Sequence, residues 1–409
     1  MKLLIGGSPC THWSIAQTKN RETEASGIGW ELFLNYRIAR DKYKPDYFLY
    51  ENNKSMSPAI RTQITAELGV EPVLINSALV SAQNRQRLYW VGRRNPDGTY
   101  SQVPVEQPED RGILLRDILE TGICWREKGY ALTASSHSAT AEDMFARRQR
   151  NGVAEPIDAC CVAQRGRYIG DGEKVAQHFE ARTDGKTNTL TTVEKDNLVA
   201  EPIRIGTIEN DAKNQAFDSQ QYRVYSPDGK SVTLCGNGGG LGAKTGLYAA
   251  PIGGPDGRVC PIYEVRDGFI TIKGKRYPVK LRDGFYIIRK LTVTECKRLQ
   301  TVPEEYVFPV SNSQAYKMLG NGWTVDVIAH IMSHFEGLTT EPVEVLSMYD
   351  GMSCGHIALD KLGVQPWLLR YYATEIDKYA IQTTQHNFPE TIQLGDAFQV
   401  RNDDWRVKK

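Results

Sequence analysis

The sequence predicts an α/β fold: a layered sheet with helices, interrupted by a second, β-rich domain. Three observations carry this. The first 94 residues alternate strand-like and helix-like runs. The same alternation returns from Thr292 to the end. Between about 95 and 288, clusters of Gly, Asp, Asn, Ser and Thr break the chain into short pieces. The 409 residues suffice for one large and one smaller domain, at roughly 100–200 residues each. The expected organisation is 1–94, 95–288 and 289–409, the outer two segments forming one domain.

The elements follow in order. Lys2 to Ile5 is a short apolar strand ending at Gly6-Gly7. Trp30 to Tyr43 fits a helix, with Leu32, Phe33, Tyr36 and Ala39 on one face. Tyr47 to Tyr50 is a strand leading into Glu51-Asn52-Asn53, and Pro72–Ile75 and Leu88–Val91 are two more. The middle region carries an internal echo. Lys186-Thr-Asn-Thr-Leu-Thr with Asn197–Ile203 resembles Lys230-Ser-Val-Thr-Leu with Gly246–Ile252, and more weakly Lys128–Thr133 with Gly152–Ile157. These read as repeated strand-loop-strand units. Thr292-Val-Thr-Glu295 is a capping box opening a helix, and Val325, Ile328, Met332 and Phe335 line one face of another. Val345–Tyr349, Leu368–Thr374 and Ile392–Leu394 are strands, with a helix over Ile357–Leu362.

Composition excludes several classes. The hydrophobic share of 40% and charged share of 24% are those of a globular protein. No run approaches the roughly 18 apolar residues needed to span a membrane, and the N-terminus is too short in apolar residues for a signal peptide. The eight cysteines are too sparse for a disulfide framework, and no Cys/His spacing reads as zinc-binding. No metal and a cytoplasmic location are expected. A net charge of +1 neither demands nor excludes nucleic acid, so any such site must be a local patch.

Three strand ends carry candidate ligand groups. One strand runs into Tyr349-Asp-Gly351-Met-Ser-Cys-Gly355 and a helix follows. The next ends at Glu375, 20 residues after Gly355, and a third at Asp396. That spacing lets an acidic group reach a ribose hydroxyl, and open α/β sheets bind ligands at such ends. The turn is GxxxG rather than GxGxxG, which favours an adenosine ligand without a pyrophosphate. Gly6-Gly7-Ser8-Pro9-Cys10 is a second turn, where a thiolate can be stabilised by nearby dipoles. Glu51 follows another strand, and Gln83, Arg85 and Arg87 alternate so that they can share a face. Singly, each of these residues reads more readily as an inert thiol or a solvated charge.

Together these segments resemble the DNA (cytosine-5) methyltransferase family. Ser8-Pro9-Cys10 is similar to its Pro-Cys loop, Glu51-Asn52 to its Glu-Asn motif, and Gln83-Asn-Arg85-Gln-Arg87 to its Gln-x-Arg-x-Arg motif. Arg289–Thr292 through Arg298-Leu-Gln300 and the Leu319-Gly-Asn321 turn resemble later family segments, and Tyr349–Gly355, Glu375 and Asp396 its three S-adenosylmethionine motifs. The form is nearest the de novo branch and its phage relatives. Two departures occur: Glu-Asn-Asn stands where Glu-Asn-Val is usual, and Gly320-Asn-Gly-Trp323 where Gly-Asn-Ala-Val is usual. The order also departs, because the family begins with the cofactor motif whereas this chain begins at Pro-Cys. Joining the two ends restores one continuous family segment. The resemblance therefore implies a circularly permuted, Rossmann-like S-adenosylmethionine-dependent sheet with an inserted target-recognition domain. It also implies that Cys10 and Asp396 serve one site, topping adjacent parallel strands, with Lys2–Ile5 beside Val345–Tyr349 and Ala397–Lys409 as the last crossover.

The resemblance further implies the chemistry. Cys10 adds to C6 of a flipped cytosine, which activates C5 for methylation. Glu51 bonds N3 and the exocyclic amine, Arg87 contacts the O2 side, and Arg85 supports the loop or a phosphate. Tyr349, Gly351, Gly355, Glu375, Asp396, Pro9 and Asn321 are the expected cofactor contacts. The partner is double-stranded DNA, in the setting of bacterial or phage restriction-modification. Nothing in the sequence requires a second chain, and a monomer is compatible with it. The alternatives are an RNA cytosine-5 methyltransferase, against which the long insert argues, and a non-catalytic regulator, against which retention of Cys10 and Glu51 argues.

Overall fold

A computed structural model describes residues 1–9, 12–14, 21–146, 150–156 and 262–398, with the backbone of 160–169, 174–182, 198–200, 224–225 and 247–248. The chain divides into two compact units. The first comprises Met1–Glu120, Arg126–Asn151 and Lys290–Lys409, and the second Thr121–Trp125 and Gly152–Arg289.

The first unit is built on one sheet. Its strands are β1 (Lys2–Gly6), β2 (Tyr47–Asn53), β3 (Pro72–Asn76), β4 (Gln86–Arg94), β5 (Tyr100–Gln102), β6 (Val343–Met348), β7 (Leu369–Thr374) and β8 (Ile392–Gly395). The spatial order is β8-β7-β6-β1-β2-β4-β3, with β5 paired to β4. From β8 to β2 all neighbours are parallel, and β4 runs antiparallel to both β2 and β3. Every residue of β2 is buried, as expected of a central strand covered on both faces. Leu3 pairs with Val345 and Ile5 with Ser347, so the N-terminal strand lies beside the Val343–Met348 strand, the pairing expected above.

The other half of that expectation is corrected. The strands that lead to Cys10 and Asp396, β1 and β8, are not adjacent, because β7 and β6 lie between them. Three strand spacings correspond to about 14 Å. Successive crossovers carry the chain from β6 outward to the edge at β8, so a ligand serving both ends must span the top of β6 and β7. The expected crossover over Ala397–Lys409 lies, beyond Phe398, outside the described residues.

Helices cover both faces. Helix α1 (Gly27–Tyr43) buries Phe33, Tyr36 and Ala39 of the face read from the sequence and leaves Leu32 half-buried, and Lys44 ends it in the left-handed region at φ 50°. Helix α2 (Pro58–Leu68) starts with Pro58 in its first turn, Ser57 accepting from the Ile60 amide, and Gly69 ends it. A short helix α3 (Ala141–Ala146) follows. The Thr292–Glu295 capping box forms both of its hydrogen bonds at the head of α4 (Val293–Leu299). Helices α5 (Asn312–Asn321), α6 (Val325–Met332), α7 (Cys354–Lys361) and α8 (Lys378–Asn387) complete the unit. Phe335 lies past the end of α6 but is buried with its Val325, Ile328 and Met332. Leu4, Phe33, Tyr36, Phe48, Tyr50, Ile64, Trp90 and Leu346 form one core cluster in this unit.

The second unit is β-rich. A five-stranded sheet runs Lys275–Pro278, Phe269–Ile272, Ile262–Arg266, Gly284–Lys290, Gly152–Pro156. Cys160–Ile169 pairs antiparallel with Lys174–Arg182 and Leu198–Ala200. Most of the two stronger sequence echoes lies outside the described residues. The weaker echo is divided: Gly129–Tyr130 belongs to the first unit and Gly152–Pro156 to the second.

Candidate active site

The carboxyl ends of β1, β2, β6, β7 and β8 share one edge of the sheet, as parallel strands require. Cys10, the expected nucleophile, lies outside the described residues. The turn leading to it is described, with Pro9 exposed. Ser8 is buried and its Oγ lies 2.6 Å from the Tyr50 Oη. Asn52, fully buried, donates from Nδ2 to the Ser8 carbonyl at 3.2 Å and to the Tyr50 Oη at 3.2 Å. Asn52 thus fastens the Ser8-Pro9 turn to β2, and its Oδ1 accepts from the Asn53 amide at 2.8 Å.

Glu51 lies inside β2 rather than after it, because β4 pairs with β2 through Asn53. Both of its oxygens are engaged. Arg87 Nε is 3.0 Å from Oε1, and Trp323 Nε1 donates to Oε2 at 3.0 Å. A Cβ at Gly7 would stand 2.8 Å from the Glu51 carbonyl and 2.9 Å from Oε2. Only glycine lets the Gly7-Ser8-Pro9 turn approach this carboxylate so closely.

Gln83, Arg85 and Arg87 do not point together as one face. An unbroken strand would align them, but pairing of β4 begins only at Gln86, while Gln83–Asn84 pairs with Gly129–Tyr130. Gln83 Nε2 donates to the Leu299 carbonyl at 2.6 Å and to Gln300 Oε1 at 2.7 Å. Arg85 is buried and donates to the carbonyls of Leu132 at 3.0 Å, Gly320 at 3.3 Å from each Nη, and Gly322 at 2.8 Å. Arg87 turns to Glu51 and gives Nη1 to the Gln86 carbonyl at 2.9 Å. Their directions differ, yet two of them converge on the Gly320–Trp323 turn: Arg85 directly and Arg87 through Glu51. Asn321, in that turn, is exposed.

The β6–α7 turn is tightly wound. Tyr349, Gly351 and Ser353 have φ of 59°, 59° and 58°. Two of these are non-glycine residues held in a sparsely occupied region, a strain common at ligand-binding turns. Asp350 anchors the turn: Ser347 Oγ donates to Oδ1 at 2.6 Å, Tyr371 Oη donates to Oδ1 at 2.7 Å, and Ser353 Oγ donates to Oδ2. Burial pushes the Asp350 carboxyl up to about 6, and those three hydroxyls offset part of the rise. A Cβ at Gly355 would stand 2.2 Å from Ile5 Cδ1, so this glycine lets α7 lie against β1.

Glu375 closes the same turn. Its Oε2 accepts from the Gly351 amide at 2.8 Å, and its Oε1 accepts from the amides of Ile376 at 2.7 Å and Asp377 at 2.8 Å. Gly351 has open space where a side chain would stand. Ile376, next to Glu375, is 74% exposed. Tyr349 donates its phenol to the Leu32 carbonyl at 2.7 Å, and Asp396 Oδ1 accepts from the Phe398 amide at 2.9 Å. The sequence reading missed Asp350, Ile376 and the Asn52–Tyr50 fastening, and it noted Trp323 only as a departure. That departure was the available signal, since an indole carries a donor that the usual valine lacks.

Among the described residues no group of three or more His, Cys, Asp or Glu could hold a metal ion, and no helix is long and apolar enough to cross a membrane. The cysteines of α4 and α7 are poor nucleophiles: burial pushes the Cys354 thiol up to about 12 and Cys296 higher.

Comparison with known proteins gives the class first. The chain is similar to orphan methyltransferase M.Rho11sI of Bacillus phage rho11s, 27% identical over 259 residues, covering 60% of this chain and 47% of that protein. It is also similar to orphan methyltransferase M.SPRI of Bacillus phage SPR, 24% identical over 389 residues, covering 80% of this chain and 81% of that protein. Type II methyltransferase M.HhaI of Haemophilus parahaemolyticus is 27% identical over 148 residues, covering 36% of this chain and 33% of that protein. The chain thus spans about half the length of the first of these relatives and a third of the last. These relatives are methyltransferases. The model of the C-5 cytosine-specific DNA methylase family matches residues 1–238 and 271–336, and the chain belongs to that family.

Proposed function

We propose that this chain transfers the methyl group of S-adenosylmethionine to C5 of a cytosine flipped out of double-stranded DNA, through a covalent bond to Cys10. One observation carries the reading: Glu51 is held by Arg87 and Trp323 directly against the backbone of the Gly7-Ser8-Pro9 turn, whose next residue is Cys10. An acid and a nucleophile on neighbouring strands can address the N3 and C6 atoms of one pyrimidine.

The cofactor residues fit an adenosine-bearing ligand. Glu375 and Asp396 present carboxylates at strand ends, Gly351 leaves open space between, and Ile376 offers an exposed apolar face for a base to cover. When bound, this ligand supplies an electrophilic methyl group. Glu375 would accept from the ribose and Asp396 from the adenine amine. The remaining steps belong to the chain. Cys10 adds to C6 as a thiolate while Glu51 hydrogen-bonds N3 and the amine, stabilising the charge that develops on the ring. After C5 is methylated, its proton passes to solvent water, the freed electron pair restores the C5–C6 double bond, and Cys10 leaves C6 as the thiolate. The order of motifs, with Pro9-Cys10 first and the cofactor turn last, and the pairing of β1 with β6 support a circular permutation of the family arrangement. The β-rich second unit would read the flanking bases.

Cys10→Ser is the direct test. A hydroxyl is far less nucleophilic than a thiolate at neutral pH. Incorporation of tritiated methyl into unmethylated bacterial genomic DNA should nearly vanish while DNA binding survives. Retention of most wild-type turnover contradicts the reading.

A further inference from the structure

We propose that Trp323 is a positioning residue for Glu51: its indole N–H orients the carboxylate until a flipped base displaces that bond. The inference rests on the reading of Glu51 as the base-binding acid. Trp323 stands where the family resemblance expects an aliphatic residue that has no donor. Its Nε1 lies 3.0 Å from Glu51 Oε2, and Arg87 Nε lies 3.0 Å from Oε1. The indole is itself fixed by its backbone, since Arg85 donates to the Gly322 carbonyl at 2.8 Å and the Cys354 thiol lies 3.7 Å from the Trp323 carbonyl.

In the observed arrangement each Glu51 oxygen already accepts from a protein donor. The exocyclic amine of cytosine is a further donor, so it must take one of these places. Arg87, of the Gln-x-Arg-x-Arg motif, stays beside the O2 side of the ring in the chemistry that the resemblance implies, so the indole bond is the one to be exchanged. The exchange costs little, because a neutral N–H donor is replaced by the donor amine of the base. The other groups facing Glu51 do not substitute for this donor. Tyr50, its chain neighbour, has its phenol oxygen engaged by Ser8 and Asn52, and burial keeps that phenol and the one of Tyr89, its cross-strand neighbour, neutral, so neither adds a charge beside the carboxylate. Arg85 is committed to carbonyls.

The test is the split between kcat and KM for methyl transfer to unmethylated bacterial genomic DNA. Trp323→Phe leaves one Glu51 oxygen without its orienting donor, so kcat should fall about tenfold, the worth of one hydrogen bond, while KM for DNA stays near wild type. Site-specific replacement of Trp323 by 3-benzothienylalanine, which keeps the bicyclic shape and has sulfur in place of N–H, should give the same fall if the phenylalanine variant fails to fold. An unchanged kcat with either folded variant overturns the inference. Glu51→Gln separates the two levels: it should lower kcat further, and wild-type turnover in that variant would instead overturn the role of Glu51 itself.

Discussion

Replacing Arg85 by alanine distinguishes a structural clamp from a group that touches substrate. The guanidinium is 4% exposed and makes four hydrogen bonds of 2.8–3.3 Å to three carbonyls. Each charge-assisted bond contributes about 1.5–3 kcal/mol net. The two bonds to Gly320 share one acceptor, and the Gly322 carbonyl keeps a second donor in Gln300 Nε2 at 3.2 Å. About two full bonds are therefore lost without replacement, which puts the cost at about 3–6 kcal/mol. That is a large share of a typical total of about 5–15 kcal/mol. Arg85→Lys keeps the charge but offers one nitrogen where two are used, and should cost less, about 1–3 kcal/mol. Urea denaturation gives the magnitude, and hydrogen exchange of peptides covering residues 316–325 shows whether the Gly320–Trp323 turn has loosened. An alanine variant that keeps stability within about 1 kcal/mol of wild type, yet loses methyl transfer, would refute the clamp and return Arg85 to the substrate.

Other perturbations have equally definite outcomes. Glu375→Gln should weaken S-adenosylmethionine binding measured by calorimetry, because a charge-assisted acceptor worth about 1.5–3 kcal/mol becomes neutral; Asp396→Asn should do the same, and unchanged affinity in both contradicts the proposed cofactor site. His356 is 2% exposed and stacks on Phe388 with centroids 3.8 Å apart, and burial holds its pKa down at about 4 from 6.5. A depressed pKa means that the stability contributed by the neutral ring is present above pH 6.5 and lost as pH falls toward 4, about 3 kcal/mol in all. Asp350 acts oppositely: its pKa is raised from 3.8 to about 6, so its contribution is present below pH 3.8 and lost as pH rises through 6. The two offset one another in the wild type. His356→Phe should leave a stability that falls with rising pH between 4 and 6, and urea midpoints with unchanged pH dependence would refute the assignment.

The sequence alone determined the element types, because periodicity and capping are local: the Thr292–Glu295 box, the α1 face and the apolar strands appear where their residues dictate. Local pattern also marked Glu375 and Asp396 as strand-end acids, since strand length and turn position depend on near neighbours, whereas Glu51 lies inside β2 because pairing with β4 extends that strand to Asn53. Only the tertiary structure decided what these groups meet. Alternation placed Gln83, Arg85 and Arg87 on one face, but the break in strand pairing before Gln86 sends Arg85 to the carbonyls of Leu132, Gly320 and Gly322 and Arg87 to Glu51. Adjacency of Cys10 and Asp396 was expected from the joined ends, yet two strands separate β1 from β8 because strand order is set by crossovers rather than by chain proximity. The bond from Trp323 to Glu51 joins residues 272 positions apart. No local rule encodes it, because it exists only once packing of the sheet and its helices has brought two distant turns to the same edge.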